Sequence, residues 1–307
     1  MKYRYHDLNT YFRQLFGERV HKIAVDAGLT CPNRDGTIST RGCIYCNARG
    51  SGTGAYARGL SIAQQLEAGQ VPIAKRFKAK KFIAYFQSFS NTYASVSHLK
   101  AMYDEAIGVP NVVGLTIGTR PDCVDEEKLA LLEEYARKHL VWIELGLQSA
   151  HDATLAAIHR GHDTAAFETT VRAASGRGIL LCAHLILGLP GETPVHMRQT
   201  AEYVSRLPLD GIKLHLLYII RGTAMETLFN EGGYQCLGQS EYVDQVCDVI
   251  ERLPAKMVLQ RLTSDPHRGE LVAPLWALQK DATLNLIKRR LIQRDTWQGK
   301  RLGEVFR

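Results

Sequence analysis

The chain has 307 residues, of which 45% are hydrophobic and 22% charged, the composition of a globular protein large enough for one α/β domain and a smaller appendage. It contains no run of about 18 apolar residues, so no membrane span is expected, and its N-terminus lacks the apolar core of a secretory signal. Seven cysteines, three of them clustered, favour ligand roles in a reducing compartment, the cytoplasm, over a disulfide framework. The formal net charge of +7 permits a nucleic-acid partner without requiring one.

Along the chain, apolar strands alternate with amphipathic helices. Residues 1–20 predict an aromatic-rich N-terminal arm with a short helix that packs on the core. Six strands are predicted at 21–28, 82–88, 112–122, 141–149, 178–192 and 211–220. Helices are predicted at 61–68, 98–108, 125–139 and 193–207, and residues 152–176 are predicted to be mainly helical. The alternation predicts a parallel sheet with right-handed crossovers, either an open doubly wound sheet or a complete or partial barrel.

The first predicted strand leads directly into a cysteine loop with the sequence CPNRDGTISTRGCIYC. Eleven residues separate Cys31 from Cys43, and two separate Cys43 from Cys46. Three thiolates are too few for a closed four-ligand structural zinc site. They suit a [4Fe–4S] cluster with one open iron, because cysteine thiolates hold the irons of such clusters. Parallel α/β folds also place their chemistry at the carboxyl ends of strands.

Polar side chains also mark the ends of later strands. Glu144, Gly146 and Gln148 alternate in the fourth strand and share a face, where a polar ligand fits against the glycine. His184 and Ile186 share a face of the fifth strand that suits an adenine ring. Further polar residues at strand ends are Gln87, Ser88, Ser90, Asn91, Arg120, Asp122, Arg160, His162, Lys213 and His215. Their convergence predicts a site at the carboxyl edge of the sheet.

Among the cysteines outside the loop, Cys123 is the one considered for catalysis, because it follows the third strand and is expected to face the site. Cys182 lies in an apolar strand and Cys247 in a helix, so both are expected to be buried and inert.

After about Gly222 the alternation ends. Residues 1–222 are therefore predicted to form a core domain, and residues 223–307 a mainly helical extension with a candidate seventh strand at 256–265. The extension ends in a basic tail that contains Lys288, Arg289, Arg290, Arg294, Lys300 and Arg301. A solvated helical face is the default interpretation of such a run, and a contact to RNA phosphates is the alternative.

A series of motifs between about residues 20 and 220 resembles the radical S-adenosylmethionine (SAM) superfamily, and in detail the YhcC-like radical SAM proteins. In chain order the motifs are CPNRDGTISTRGCIYC, YFQSFSNTY, GTRPDC, ELGLQS, HRGHD, HLILGLPGE and KLHLLYIIRGT. A more distant likeness is to the catalytic subunit of Elongator, a tRNA wobble-uridine modifier, and to the oxygen-independent coproporphyrinogen oxidase.

The resemblance implies a partial (β/α)6 TIM-like barrel of parallel strands plus a C-terminal, mainly helical extension. It implies a [4Fe–4S] cluster on the three loop cysteines, with SAM bound to the open iron. One electron then cleaves SAM to methionine and a 5′-deoxyadenosyl radical, which abstracts hydrogen from a substrate. By position, the implied SAM-binding residues are Tyr45, Gln87, Ser88, Glu144, Gln148, Arg160, His184 and Ile186. Tyr45 and Ile186 are placed beside the adenine, and Arg160 is placed on the carboxylate.

The chain departs from the wider superfamily in four respects. Eleven residues separate the first two cysteines, where three are common. Gly118 stands where the Elongator and coproporphyrinogen oxidase relatives have Glu, and His184 stands where relatives often have Asp. The acetyltransferase domain of the Elongator subunit has no counterpart.

The sequence thus predicts a radical SAM enzyme, with tRNA, specifically a wobble uridine, as its candidate substrate and partner. A flavodoxin- or ferredoxin-type protein is the expected electron donor. A small metabolite or a tetrapyrrole is the alternative substrate. Alternatives from other classes are an Fe–S electron-transfer or sensing protein and a three-cysteine zinc protein. An electron carrier would not need the polar residues at the strand ends.

Overall fold

A curled parallel sheet forms the body of the protein. The computed structural model describes residues 4–50 and 55–306. The strands of the main sheet are β1 Val20–Val25, β2 Lys81–Phe86, β3 Val112–Thr119, β4 Leu140–Gln148, β5 Leu180–Leu187, β6 Gly211–Leu216 and β8 Val258–Arg261. These seven strands lie in the order β1-β2-β3-β4-β5-β6-β8, and every neighbouring pair is parallel. The predicted partial barrel of parallel strands is confirmed.

Helices cover the outside of the sheet. They are α1 Leu8–Phe16, α2 Ile62–Phe77, α3 Val96–Gly108, α4 Glu126–Ala136, α5 Asp152–Ala157, α6 Thr164–Ala174, α7 Pro194–Ser205, α8 Ala224–Asn230, α9 Gln239–Ile250 and α10 Lys280–Gln293. Several begin at a side chain that accepts a hydrogen bond from an otherwise free backbone N–H. These capping residues are Asp7, Ser61, Ser95, Asp125 and Asp163. None of the described helices is long and apolar enough to cross a bilayer.

Helix α2 is longer than predicted. It was expected over 61–68, but it continues to Phe77 and includes Pro72. Gly69, which suggested an end, serves packing instead: a Cβ at this position would lie 2.6 Å from Cγ2 of Ile23 on β1. The glycine therefore lets α2 lie close against the sheet. The basic residues Lys75 and Arg76 consequently occupy the last turn of the helix, where its dipole favours positive charge.

The segment predicted to be mainly helical over 152–176 consists of two helices, α5 and α6. His159 and Gly161 adopt left-handed backbone conformations, with φ of 52° and 75°, which reverse the chain between the two helices. Arg160 lies in the middle of this turn and lines the cavity described below. The prediction of a mainly helical stretch is confirmed, and the sequence did not indicate the turn, because contacts with residues far away in the sequence hold it.

The end of the sixth predicted strand leaves the main sheet. β6 ends at Leu216, and a short strand β7, Ile219–Ile220, pairs antiparallel with β9, Leu271–Ala273. The candidate seventh strand is confirmed as β8, which pairs parallel with β6. The division at residue 222 remains a prediction, and the C-terminal part supplies one strand of the main sheet.

The C-terminal basic tail is partly neutralised. Arg290 on α10 and Arg294, which caps its C-terminal end, both pair with Asp244 on α9. Nη1 of Arg294 also lies 2.6 Å from Oδ1 of Asp248. These arginines therefore fasten two helices together. The sequence did not indicate this pairing, because the acidic partners on α9 lie 46 to 50 positions away.

Candidate active site

A cavity of about 560 Å³ opens at the carboxyl ends of the strands. It lies where parallel α/β folds place their chemistry. All but one of the residues predicted to bind the cluster or SAM line it. These are Cys31, Cys43, Tyr45, Cys46, Gln87, Glu144, Gln148, Arg160, His184 and Ile186. The fold brings them together in one place, and their roles as ligands remain predictions.

Ser88 and Cys123 do not line the cavity. Ser88 is buried just beyond the end of β2, and Phe89 has a φ of 60°, which breaks the strand alternation so that Ser90 faces the cavity instead. Cys123 is also buried, and burial raises its pKa to about 12. The expectation that Cys123 faces the site was wrong, and its thiol is protonated at neutral pH and a poor nucleophile.

The cysteine loop is held in place by backbone contacts. The carbonyl of Cys31 accepts hydrogen bonds from the N–H groups of Arg34 and Asp35, and the Cys46 N–H donates to the Cys43 carbonyl at 3.0 Å. The N–H of Ile44 donates to the carbonyl of Ile158 at 3.2 Å. These turns fix the backbone from which the three thiols project.

The guanidinium of Arg160 contacts Cys43 directly. Its Nη1 lies 3.6 Å from the Cys43 Sγ, while Nε and Nη2 donate to the carbonyl of Gly146 at 3.2 and 2.8 Å. Burial raises the pKa of the Cys43 thiol, but the charge and hydrogen bond of Arg160 outweigh burial and lower it below its ordinary value. The guanidinium thus favours a thiolate at Cys43, the form that binds metal.

Gly146 provides the space that Arg160 occupies. A Cβ at position 146 would lie 2.5 Å from Nη2 of Arg160 and 2.7 Å from Nε2 of Gln148. The strand also has a register shift between Gly146 and Gln148, and Gln148 has a φ of 80°. The gap at the glycine, predicted to receive a ligand, is therefore filled by the protein's own side chains.

Two buried side chains support the turn that carries Arg160. Arg120 donates from Nη1 to the Arg160 carbonyl at 2.7 Å and pairs with both carboxylate oxygens of Asp122 at 2.9 and 2.7 Å. Asn33, within the cysteine loop, donates from Nδ2 to the carbonyl of His159 at 2.7 Å. The loop and the turn are thus connected to each other and to the end of β3.

The three loop sulphurs are spread more widely than the ligands of a single ion. Ligand atoms around one tetrahedral zinc lie about 3.8 Å apart, given Zn–S bonds of about 2.3 Å. Among the residues that the structure describes, only Glu144, Cys182 and His184 form a trio with ligand atoms within 4.8 Å of one another. The spacing of Cys31, Cys43 and Cys46 fits a polynuclear cluster better than one zinc ion.

Polar side chains close the cavity toward the centre of the barrel. We call this surface the cavity floor; it consists of Tyr85, Glu144, His184, His215 and Arg261, on β2, β4, β5, β6 and β8. Sequence reasoning did not single out Tyr85 or Arg261. A strand of ordinary polarity in the C-terminal part offered no sign that Arg261 would enter the barrel.

Glu144, one of the residues of the cavity floor, is the centre of a buried ion network. Its Oε1 lies 2.7 Å from Nζ of Lys22, which reaches across the barrel from β1, and its Oε2 pairs with Nζ of Lys213. Nε2 of His184 also lies 2.9 Å from Oε2. Burial raises the pKa of Glu144, but Lys213 and Lys22 outweigh it and hold the pKa well below its ordinary range. Both carboxylate oxygens are therefore engaged by the protein itself.

The close trio of Glu144, Cys182 and His184 is not a metal site. The ammonium groups of Lys22 and Lys213 already contact the carboxylate oxygens that an ion would need. Burial also raises the pKa of the Cys182 thiol, which keeps it protonated and a poor ligand. Lys22 was missed from the sequence, although a lysine inside an apolar strand is a recognisable signal.

We expect acid to destabilise the protein through His184. Burial lowers the pKa of this imidazole to about 4, whereas its pKa in the unfolded chain is about 6.5. Between these two pH values the imidazole is protonated in the unfolded chain and neutral in the folded chain, which favours unfolding. The free energy of unfolding should therefore fall by about 2 kcal/mol more in wild type than in His184→Asn between pH 7 and pH 5. Urea unfolding of the two proteins at both pH values measures this difference. An equal fall in both would contradict a neutral, buried His184.

Comparisons with known proteins agree with this geometry. The model of the Radical SAM superfamily matches residues 35–204, and the model of the Radical_SAM C-terminal domain matches residues 209–293. The chain is 38% identical over 297 residues to the protein YtqA of Bacillus subtilis, covering 97% of this chain and 92% of YtqA. It is 40% identical over 292 residues to the protein YhcC of Escherichia coli, covering 95% and 93%. The solved structure of Elp3 from the archaeon Methanocaldococcus infernus shares the fold, with a TM-score of 0.66 at 14% identity over 91% of this chain and 64% of that protein.

Proposed function

This chain belongs to the radical SAM superfamily of enzymes, and on that premise we propose that Cys31, Cys43 and Cys46 hold a [4Fe–4S] cluster beside which SAM binds. One observation carries the proposal: three thiols too widely spread for one ion share a cavity of about 560 Å³ with convergent polar groups. When bound and reduced by one electron, the cluster and SAM would supply a 5′-deoxyadenosyl radical that abstracts hydrogen from a substrate. The family supports the presence of both groups.

We assign some of the cavity residues to SAM binding and the others to contacts within the protein that hold the site in place. Tyr45 and Ile186 offer apolar surface for the adenine, and Gln87 and Gln148 offer amides for the polar end of SAM. Arg160 is assigned to Cys43, which it contacts in the structure.

Glu144 and His184 are assigned to the ion network of the floor, since each already has a partner there. Oε1 of Glu144 is engaged by Lys22, and Oε2 by Lys213 and His184. Protein groups therefore already occupy most of the roughly four acceptor sites of the carboxylate.

The proposed activity is tested by SAM cleavage. Anaerobically reconstituted and reduced protein should convert SAM to 5′-deoxyadenosine and methionine, detected by chromatography and mass spectrometry. Protein that carries a full cluster but forms no 5′-deoxyadenosine would rule out the radical enzyme and favour electron transfer or sensing. The polar side chains that line the cavity favour an enzyme over an electron-transfer protein, because electron transfer does not require them.

For the substrate we propose a tRNA base, with the wobble uridine as the specific candidate and a flavodoxin- or ferredoxin-type protein as the electron donor. The distant likeness to the Elongator catalytic subunit and the net charge of +7 support this substrate. The seven free cysteines are consistent with a reducing, cytoplasmic location. A small metabolite or a tetrapyrrole is the alternative, which the same experiments address.

Binding of tRNA should depend on salt and on two exposed cations of α10, Lys288 and Arg289. Unlike Arg290 and Arg294, neither forms an ion pair within the described part of the chain. In Lys288→Gln/Arg289→Gln, the slope of log affinity against log salt should fall by about one for each phosphate that is no longer neutralised. Filter binding over a salt series measures this, with Arg172→Gln on the distant helix α6 as the matched control.

Nucleoside mass spectrometry of total tRNA from cells with and without the protein would then identify the modified base. An unchanged nucleoside profile together with salt-insensitive binding would exclude the tRNA substrate.

A further inference from the structure

The interior of the barrel carries more positive than negative charge. Three cationic side chains, Lys22, Lys213 and Arg261, meet one carboxylate, that of Glu144. Lys22 and Lys213 both donate to Glu144, and Lys22 donates further to Gln260 Oε1 at 2.6 Å. The two lysines and their carboxylate engage one another and together carry at most one positive charge, since burial lowers the pKa of Lys213 to about 7. Arg261 has no carboxylate partner among the described residues.

No carboxylate at the described rim compensates this charge. Asp265 and Glu270 line the outer part of the cavity, but each already has a cationic partner. Asp265 pairs with Lys280 at 2.6 Å, and Glu270 pairs with Arg49 at 3.0 Å. The excess positive charge therefore lies at the floor.

Arg261 and His215 are the floor residues without partners. Within residues 4–50 and 55–306, no hydrogen bond or ion pair engages the Arg261 guanidinium, although it lines the cavity. Nε2 of His215 is buried and also has no hydrogen-bond partner within those ranges. A buried polar atom without a partner, such as His215 Nε2, is costly. The half-buried guanidinium of Arg261 lines the same cavity without a partner in the described part of the chain, so the two together indicate that a ligand completes the site.

We propose that Arg261 and His215 form a binding subsite for a carboxylate group of the substrate. The planar guanidinium presents parallel N–H donors that match the two oxygens of a carboxylate, and the His215 imidazole adds a donor from Nε2. Within the residues that the structure describes, Arg261 is the one cation of the three without a carboxylate partner, so it can pair with a singly charged group. A doubly charged phosphate would bring a second negative charge toward the carboxylate of Glu144, which repels it.

The subsite shares the cavity with the place proposed for SAM but uses other strands. Arg261 lies on β8 and His215 on β6, beside Ile186 of β5, whereas the cysteines lie on the loop after β1. The inference rests on the proposed function insofar as the ligand is called a substrate. The binding of a carboxylate does not itself require turnover, so the two can fail separately.

The experiment measures binding of a small probe, fluoroacetate, to the reconstituted protein saturated with SAM. Line broadening in 19F NMR gives the dissociation constant, and fluoroacetamide serves as the uncharged probe of the same shape. We expect fluoroacetate to bind and fluoroacetamide to bind at least tenfold more weakly. Arg261→Gln should weaken fluoroacetate binding by about tenfold or more, the value of one charge-assisted hydrogen-bonded contact. Arg261→Lys, which keeps the charge, should lose less, and Arg172→Gln should behave as wild type.

Several results would overturn the proposal. These are no binding of fluoroacetate to wild type, equal binding of the uncharged probe, or unchanged affinity in a folded Arg261→Gln. Displacement of the probe by inorganic phosphate more readily than by acetate would point to a phosphate subsite instead. If Arg261→Gln weakened SAM and left fluoroacetate unaffected, Arg261 would belong to the SAM site. Loss of 5′-deoxyadenosine formation in wild type, with probe binding intact, would affect only the proposed function.

Discussion

Replacement of Cys43 by alanine is expected to remove the cluster and with it all SAM cleavage. Cys43 is the buried member of the three loop cysteines, and Arg160 and Asn33 both donate to its sulphur at 3.6 Å. Two remaining thiolates cannot hold three irons of a cubane, so iron content should fall from about four per chain to near zero. Formation of 5′-deoxyadenosine should then fall below detection.

The matched control is Cys247→Ala. Cys247 is buried in α9, where burial raises the pKa of its thiol, and it does not line the cavity. This variant should keep its iron, its visible absorption and its activity, at a stability cost of roughly 1 kcal/mol or less for a small buried side chain. A Cys43→Ala protein with a full complement of iron would refute the ligand assignment. Loss of iron in both variants would indicate general instability of the fold.

Glu144→Gln should cause the largest loss of stability among single substitutions at the site. Gln keeps the size of the side chain but removes the charge that Lys22 and Lys213 share. It leaves Lys22, and Lys213, whose pKa burial already lowers to about 7, in the interior without a counter-ion. Removal of one partner from a buried ion pair costs about 3–5 kcal/mol. Urea unfolding of the cluster-free proteins at pH 7 measures the change in the free energy of unfolding.

Three comparisons make this second prediction specific. Glu133→Gln, whose carboxylate pairs with the exposed Arg137, should cost less than about 1 kcal/mol. Lys213→Met added to Glu144→Gln should recover part of the loss, because it removes one of the unpaired charges.

The third comparison uses pH. Since the folded-state pKa of Glu144 is lowered, its contribution is present above the pKa of about 4.3 in the unfolded chain and is lost as the pH falls below it. The gap between wild type and variant should therefore narrow toward pH 3. A cost below about 1 kcal/mol at pH 7 would mean that the network does not hold the barrel together.

The ion network also shows which features of the site could be predicted from the sequence. His184, Lys213 and Glu144 were recognised as polar residues on inward-facing positions, because a strand alternates its faces with a period of two. Their partnership was not recognised, since it joins side chains up to 122 positions apart through the interior of a curled sheet. Glu144 consequently appeared to be free for a ligand when it is engaged by lysines.

Positions at strand ends were the least predictable. Ser88 and Ser90 both follow β2, and only the positive φ of Phe89 decides that Ser90 faces the cavity. Arg160 was expected on a bound carboxylate. The turn through His159 and Gly161 places it on Cys43, with Arg120 and Asn33 supporting that turn. Backbone turns of this kind depend on distant contacts, which local propensity does not encode.

The sequence by itself determined the alternation of strands and helices, the cysteine loop after the first strand and the order of motifs that indicates the family. These features depend on residue type and short-range spacing, which a chain displays without folding. Only the tertiary structure decided that β8 joins the barrel and brings Arg261 to its floor, that Lys22 and Lys213 neutralise Glu144, and that α9 neutralises Arg290 and Arg294. The physical reason is that charge compensation in an interior depends on distances in space, and these are set only when the sheet closes.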